Sequence, residues 1–365
     1  MPLRRALTDW TVSVPLAALL LLIPTWGRVL PVPVVVLVAV ALGAAVLASV
    51  HHAEVIAHRV GEPYGSVILA VAVTIIEVSL IVTLMISGDP VKTAPLARDT
   101  VFAAVMLTCN GIVGLCLLSS SLRRHVAVFN SEGAGGALAT VATLATLSLV
   151  VPAFTTSRPG PEFSTPQLAF AGVSSLVLYG VFIGVQTVRH RDYFLPLTTA
   201  GKVVTQETHA DPPSVRRTWA SLGLLIAALI AVVGDAKSVS PTIERLLENA
   251  GLPLTLVGIV IAMLVLAPET LAAVRAARRD RTQTSLNLAY GSAIASIGLT
   301  IPAVAVASLI LDRPLDLGLG PTEIVLFALT VVVGTLTIVP GRATLLQSTV
   351  HLSVLAAYLF LAISP

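Results

Sequence analysis

Charge is the scarcest ingredient of this sequence. Only 11% of its 365 residues are Asp, Glu, Lys or Arg, against about a quarter in a soluble domain. With 56% hydrophobic residues and a mean hydropathy of +0.93, the composition excludes a soluble globular chain and demands a membrane protein. Cysteine is nearly absent. Cys109 and Cys116 lie seven apart in one apolar run, share a helix face and read as small buried hydrophobes. No small-residue cleavage site clearly follows the first apolar run, which reads as a plain first span rather than a signal peptide. The net charge of +3 and pI near 9.1 say little by themselves; in a membrane chain the position of each Lys and Arg matters more.

What the sequence has instead is long apolar runs. A spanning helix needs about 20 apolar residues. Eleven runs qualify, at about 10–26, 31–53, 63–87, 99–121, 135–155, 167–188, 218–236, 252–274, 284–311, 321–340 and 344–364, the first of them short. With the N-terminus inside, one side collects Arg4, Arg5, Arg59, Arg123, Arg124, the basic residues of 189–217, the Arg275–Arg281 cluster and Arg342. These are roughly two thirds of the 22 basic residues, so the positive-inside rule predicts N-in and C-out. A loop between spans explains the Arg275–Arg281 cluster, and no nucleic-acid partner is inferred. Residues 189–217, with His190, His209, Asp211 and Pro212-Pro213, form the longest polar stretch and the natural break between halves. Residues 236–250 read as an amphipathic segment at the outer surface, with Asp235 closing the preceding helix at the interface.

An offset of 190 residues lays Glu54, Gly61 and Pro63 over Glu244, Gly251 and Pro253 without a gap. Each segment leads into an apolar run that carries a glutamate: Glu77 in the first half, Glu269 in the second. Each repeat then holds five spans. An odd number forces opposite orientations in the membrane, a pattern common among secondary transporters, whose site lies near the midplane. The predicted architecture is therefore all-α: an extra N-terminal helix in 1–30, a first five-helix repeat in 31–188, a cytoplasmic linker in 189–217 and an inverted five-helix repeat in 218–365.

Carboxylates inside hydrocarbon are costly and mark function. Glu77 has Thr74 three residues before it, and Glu269 directly follows Pro268, which frees a carbonyl one turn back. Freed carbonyls at membrane depth can ligate a cation, or the proline can simply be a packing kink. The next helix of each half adds neutral oxygens: Asn110 in the first, Asn287, Ser292 and Ser296 in the second. Hard cations take several such oxygens beside carboxylates, although paired serines also serve close helix packing. His51, His52, Glu54 and His58 cluster at one end of the second span. They lack the His-Glu-x-x-His spacing of a zinc protease; His52 and His58 suit proton entry or pH sensing, or an interfacial solvated group. Glu54 and Glu244 recur in both halves and are candidates for the two mouths of a pathway. His351 reads as a satisfied core histidine.

The stretch His52-Ala-Glu54-Val-Ile-Ala-His58-Arg-Val-Gly-Glu-Pro-Tyr-Gly-Ser66, with Ile76-Glu77-Val-Ser-Leu-Ile, Pro268-Glu269 and Asn287-Leu-Ala-Tyr-Gly-Ser292, resembles the cation/proton exchanger branch of the calcium/cation antiporter superfamily. It looks closely like the bacterial inner-membrane sodium/potassium/calcium–proton antiporters of the ChaA type. The resemblance covers almost the whole chain. It implies 1+5+5 helices, cation export against protons, and a multi-pass place in the bacterial inner membrane. Its two ion-binding acids fall on Glu77 and Glu269, its first neutral ligand on Asn110 and the second-half counterpart on Ser296, so Glu77, Glu269 and Asn110 would hold the cation. Small cations, protons and lipid are the implied partners; no cofactor and no particular oligomer is implied.

The chain departs from the family in three places. Plant and fungal calcium exchangers carry Gly-Asn-Ala before each glutamate, where this chain has Val73-Thr74-Ile75 and Val265-Leu266-Ala267. A serine also stands where the second neutral ligand is usually glutamine. With fewer amide oxygens, the expected cargo is calcium with sodium and potassium beside it.

Burial disfavours the charged form of a carboxyl, and so does a second carboxylate nearby. Glu77 and Glu269 are thus expected to take protons as a coupled pair that a cation displaces, and alternating access would turn that competition into exchange. A membrane-embedded enzyme or a cation channel using the same carboxylates are the competing readings.

Overall fold

The computed structural model describes residues 9–61, 64–196 and 213–364. Arg4, Arg5, Pro63 and most of the expected linker, with Lys202, His209 and Asp211, lie outside the described residues. Among the described residues ten helical runs are long and apolar enough to cross a membrane; the run Trp10–Thr25 is shorter. Large apolar side chains such as Ile23, Val40, Val260, Leu336 and Phe360 are exposed, far beyond what water tolerates and suited to lipid.

The helices gather into two compact units. The first takes the described residues up to Ala94 and those from Pro213 to Leu254. It contains α1 (Trp10–Thr25), α2 (Val32–Val60), α3 (Tyr64–Ser87) and, later in the chain, the helix Val215–Asn249. Asp9 caps α1: its carboxylate accepts from the Thr11 backbone N–H at 3.1 Å and the Thr11 hydroxyl at 2.8 Å, and those bonds hold it below the usual carboxylate range. α2 runs seven residues past its expected end and closes at Gly61 with φ +79°, a conformation glycine adopts without strain.

The second unit takes the rest. It contains α4 (Leu96–Met106), α5 (Val113–Arg124), α6 (Ser131–Ala145) and α7 (Thr165–Gly184); then, after the helix Val215–Asn249, which we number α8, come α9 (Thr255–Arg278), α10 (Thr282–Ala295), α11 (Ile301–Leu311), α12 (Pro321–Ile338) and α13 (Leu345–Ile363). A two-residue antiparallel ribbon pairs β1 (Ala127–Val128) with β2 (Arg342–Ala343). Reciprocal caps start α7 and α13: Gln167 accepts from the Ser164 backbone N–H at 2.9 Å and Gln347 from that of Thr344 at 2.8 Å. Four π-helical turns interrupt these helices, at Leu107–Ile112, Thr146–Val150, Val185–Arg189 and Ser296–Thr300.

The structure corrects the reading of residues 235–250. α8 is one helix of 35 residues, and it passes through Pro241 without ending. Leu, Glu and Arg are good helix formers, and the Ser240 hydroxyl donates to Glu244 at 2.8 Å within the same turn. Asp235 therefore does not close a helix at the interface. It lies inside α8 and is fully buried.

Candidate functional site

In the first unit, Glu77 sits in an uninterrupted stretch of α3 and is only 3% exposed; Thr74, one turn earlier on the same face, is 8% exposed. At the far end of the unit Lys92 and Glu248 form an ion pair at 2.5 Å. The Glu244 carboxylate accepts from Ser240 and lies beside Gly88, where an added Cβ would fall 3.3 Å from it.

The histidine group divides. Pro15 lacks the N–H that would bond the Thr11 carbonyl, and the His52 Nε2–H donates to that carbonyl at 2.8 Å. Nδ1 is then left to accept from the Ser221 hydroxyl at 3.3 Å. His52 is thus a buried tie between α1, α2 and α8. Glu54 and His58 are exposed one turn apart on α2, and Arg59 donates to the Pro213 carbonyl at 3.1 Å. Among the described residues no three His, Cys, Asp or Glu side chains gather closely enough to hold a metal ion.

In the second unit α9 continues through Pro268, and Glu269 is half-buried. The missing proline N–H releases the Leu264 carbonyl one turn back. Asn110 lies in the π turn Leu107–Ile112 and is fully buried. The Thr337 hydroxyl bonds His351 Nε2 at 3.1 Å, and His351 Nδ1 bonds Asn110 Oδ1 at 3.3 Å. Asn110 Nδ2 donates to Thr330 Oγ1 at 2.9 Å, and that hydroxyl donates to the Leu326 carbonyl at 2.8 Å. Satisfying every donor makes His351 neutral with its proton on Nδ1, so all four bonds run one way and fix the Asn110 amide. Its oxygen keeps a second lone pair. Sequence reasoning treated His351 as a satisfied core residue and missed that what it satisfies is Asn110. Thr330 and Thr337 carried no signal in the sequence.

Ser296 opens the other π turn, Ser296–Thr300, and is 7% exposed; Ser292, one turn before it on the same face, is half-buried. Asn287 does not join them. Nine residues separate it from Ser296, about half a turn at roughly 100° per residue, so it occupies the opposite face of α10. There its amide is spent on structure: Nδ2 donates to the Phe194 carbonyl at 2.6 Å, and Oδ1 accepts from Gln283 at 2.8 Å.

Comparison with known proteins identifies the fold and the family. The family described as sodium/calcium exchanger protein matches residues 30–188 and 220–364. The sodium-potassium/proton antiporter ChaA of Escherichia coli is 34% identical over 94% of this chain and 93% of its own. The protein y4hA of Sinorhizobium fredii is 46% identical over 98% of this chain and 96% of its own. Among solved structures, native YfkE superposes with a TM-score of 0.71 at 15% identity, covering 97% of this chain and 100% of that one. The H+/Ca2+ exchanger CAX gives 0.68 at 14%, covering 96% and 86%. These relatives are transporters, which removes the embedded enzyme from consideration. The chain is a multi-pass membrane cation exchanger and belongs to the sodium/calcium exchanger protein family of the calcium/cation antiporter superfamily.

Proposed function

We propose that the protein exports cations in exchange for protons by alternating access, with Glu77 and Glu269 shared between cation and protons. The observation that carries this reading is Glu77 itself: a carboxylate 3% exposed inside an apolar spanning helix. A carboxyl so placed rests either with a proton or with a cation, and the two states exclude each other. Thr74, Asn110, Ser292 and Ser296 supply neutral oxygens, and the Leu264 carbonyl adds one more beside Glu269. Serine and threonine hydroxyls are weaker ligands than amide carbonyls, so the cargo includes sodium and potassium as well as calcium. The termini lie N-in and C-out, from the distribution of Arg and Lys.

The test is reconstitution into acid-loaded vesicles with a trapped pH dye. Adding calcium, sodium or potassium should relieve quenching as protons leave. Glu77→Gln and Glu269→Gln each keep shape and lose charge, and each should abolish the response. Full activity in either variant, or cation conduction with no proton movement, overturns the reading.

A further inference from the structure

The first unit holds a second buried carboxyl that the exchange scheme does not use. Asp235 is 0% exposed, and neither carboxylate oxygen has a hydrogen-bond partner. Its neighbours explain why nothing compensates it. α8 runs antiparallel to α2: Thr242 bonds the Leu30 carbonyl just before α2, Val239 packs with Val35 and Val38, and Ser221 bonds His52. Asp235 therefore faces the part of α2 between Val38 and Val46, where there is no ionisable side chain; His51 and His52 are the first on that helix. On the α1 side Leu22 crosses at Gly234, and α1 has no ionisable residue at all. On α3, Ala72 packs with Leu225 of α8, and just beyond the end of α3 Lys92 pairs with Glu248. This register puts Asp235 about one helical turn beyond the level of Glu77. On α8 itself the nearest charge is Lys237, which is exposed and lies 5.1 Å from the Trp26 ring centroid.

A polar row leads from this carboxyl to the end of α8. Ser238, Thr242 and Arg245 follow Asp235 at three, seven and ten residues, all within about a quarter turn of its face. Ser238 and Thr242 are 7% and 6% exposed, whereas Arg245 is exposed and its Nη2 donates to Thr242 Oγ1 at 3.3 Å. Pro241 also releases the Lys237 carbonyl within the same stretch. Hydroxyls both donate and accept; the two here donate to the Gly234 and Leu30 carbonyls, and with Arg245 they line about 15 Å of helix from Asp235, an arrangement that suits the passage of a proton but offers no cage of oxygens for a metal ion.

We propose that Asp235 is a proton-binding site distinct from Glu77, resting uncharged within the apolar layer and loaded or emptied along the Ser238–Thr242 row during the transport cycle. An unpaired carboxylate at this position would be too costly to persist, while the neutral acid is not. The proposal relies on the exchange reading only for what drives the proton.

Infrared difference spectra of the full-length protein in vesicles, between acidic and alkaline buffer, test it. A band from a buried protonated carboxyl should remain in the Glu77→Gln/Glu269→Gln variant, vanish when Asp235→Asn is added to that variant, and respond to pH more slowly when Thr242→Val is added to it instead. In the pH-dye assay Asp235→Asn should flatten the pH dependence of exchange. The proposal is overturned if the band persists after Asp235→Asn is added to the double glutamate variant, if it is absent from the double glutamate variant itself, or if the pH profile of Asp235→Asn matches the parent. Should Asp235→Asn fail to insert, a hydrophobic carbodiimide applied to the parent protein decides instead. Modification of Asp235 that falls as pH rises supports the site, and no modification at any pH overturns it. A parent protein that answers no cation in the dye assay would sink the exchange reading and leave the infrared result to judge Asp235 alone.

Discussion

Two π turns of the second unit, Leu107–Ile112 and Ser296–Thr300, share one geometry and carry different chemistry. Such turns recur at functional sites because they widen a helix and loosen its carbonyls. In the first, Thr108 turns back to the Ala104 and Val105 carbonyls at 2.7 and 3.0 Å, and Asn110 is locked by Thr330 and His351. In the second, the polar contribution comes from hydroxyls, Ser296 and Thr300. One backbone distortion can thus display side chains of different chemistry. An amide has distinct donor and acceptor sides and has to be aimed, and Thr330 of α12 and His351 of α13 hold that of Asn110 in place. A hydroxyl rotates to suit its partner and needs no such support.

Breaking the aimed turn is expected to have the largest effect. Under the proposed exchange reading Asn110→Ala removes an oxygen from the cation, and in any case it strands Thr330 and His351 in a dry core, at about 1–3 kcal/mol for each buried group left unsatisfied. Both exchange and thermal stability should fall, the first measured by the dye assay and the second by the melting temperature in detergent. Unchanged exchange would mean that Asn110 is architecture alone. His351→Phe leaves Asn110 in place but frees its amide to rotate. It should raise the apparent KM for cation severalfold and lower stability by about 1–3 kcal/mol. A variant that loses stability with no change in KM would show that His351 supports the core without aiming Asn110.

The other π turn sharpens the contrast. Ser296→Ala deletes one neutral oxygen, worth about 1 kcal/mol, so a roughly fivefold rise in KM is expected with little change in melting temperature. Equal losses for Ser296→Ala and Asn110→Ala would erase the distinction between an aimed and an adaptable ligand.

Much of this was legible in the sequence because the bilayer leaves so few solutions. Runs of about 20 apolar residues read as spans, and Glu77 stands out in its run because charge is otherwise absent there. Legibility failed where a polar stretch remained helical. Residues 236–250 read as a separate amphipathic segment at the outer surface, yet Pro241 is tolerated and α8 continues to Asn249. Asp235 was misplaced by the same inference. Asn287 was grouped with Ser292 and Ser296 by closeness in sequence, whereas helical rotation sends it to the other side of α10. The partners of Asn110, 220 and 241 residues away, leave no local pattern to read.

The smallest expected effect lies at the surface, where Asp280 turns the chain between α9 and α10 with φ +60°. Arg124 Nη2 bonds its carboxylate at 2.7 Å, and this bond holds Asp280 below the usual carboxylate range. A lowered carboxylate stabilises the fold above its unfolded pKa, near 3.9, and that contribution disappears as pH falls through the lower folded value. Stability should therefore be insensitive to Asp280→Asn in strong acid and slightly reduced by it at neutral pH. Because both side chains are largely exposed, salt should shrink even that difference. A melting-temperature series over pH and ionic strength checks the sign. A loss on Asp280→Asn that grows toward acid would mean the turn, and not the ion pair, sets the contribution of this residue.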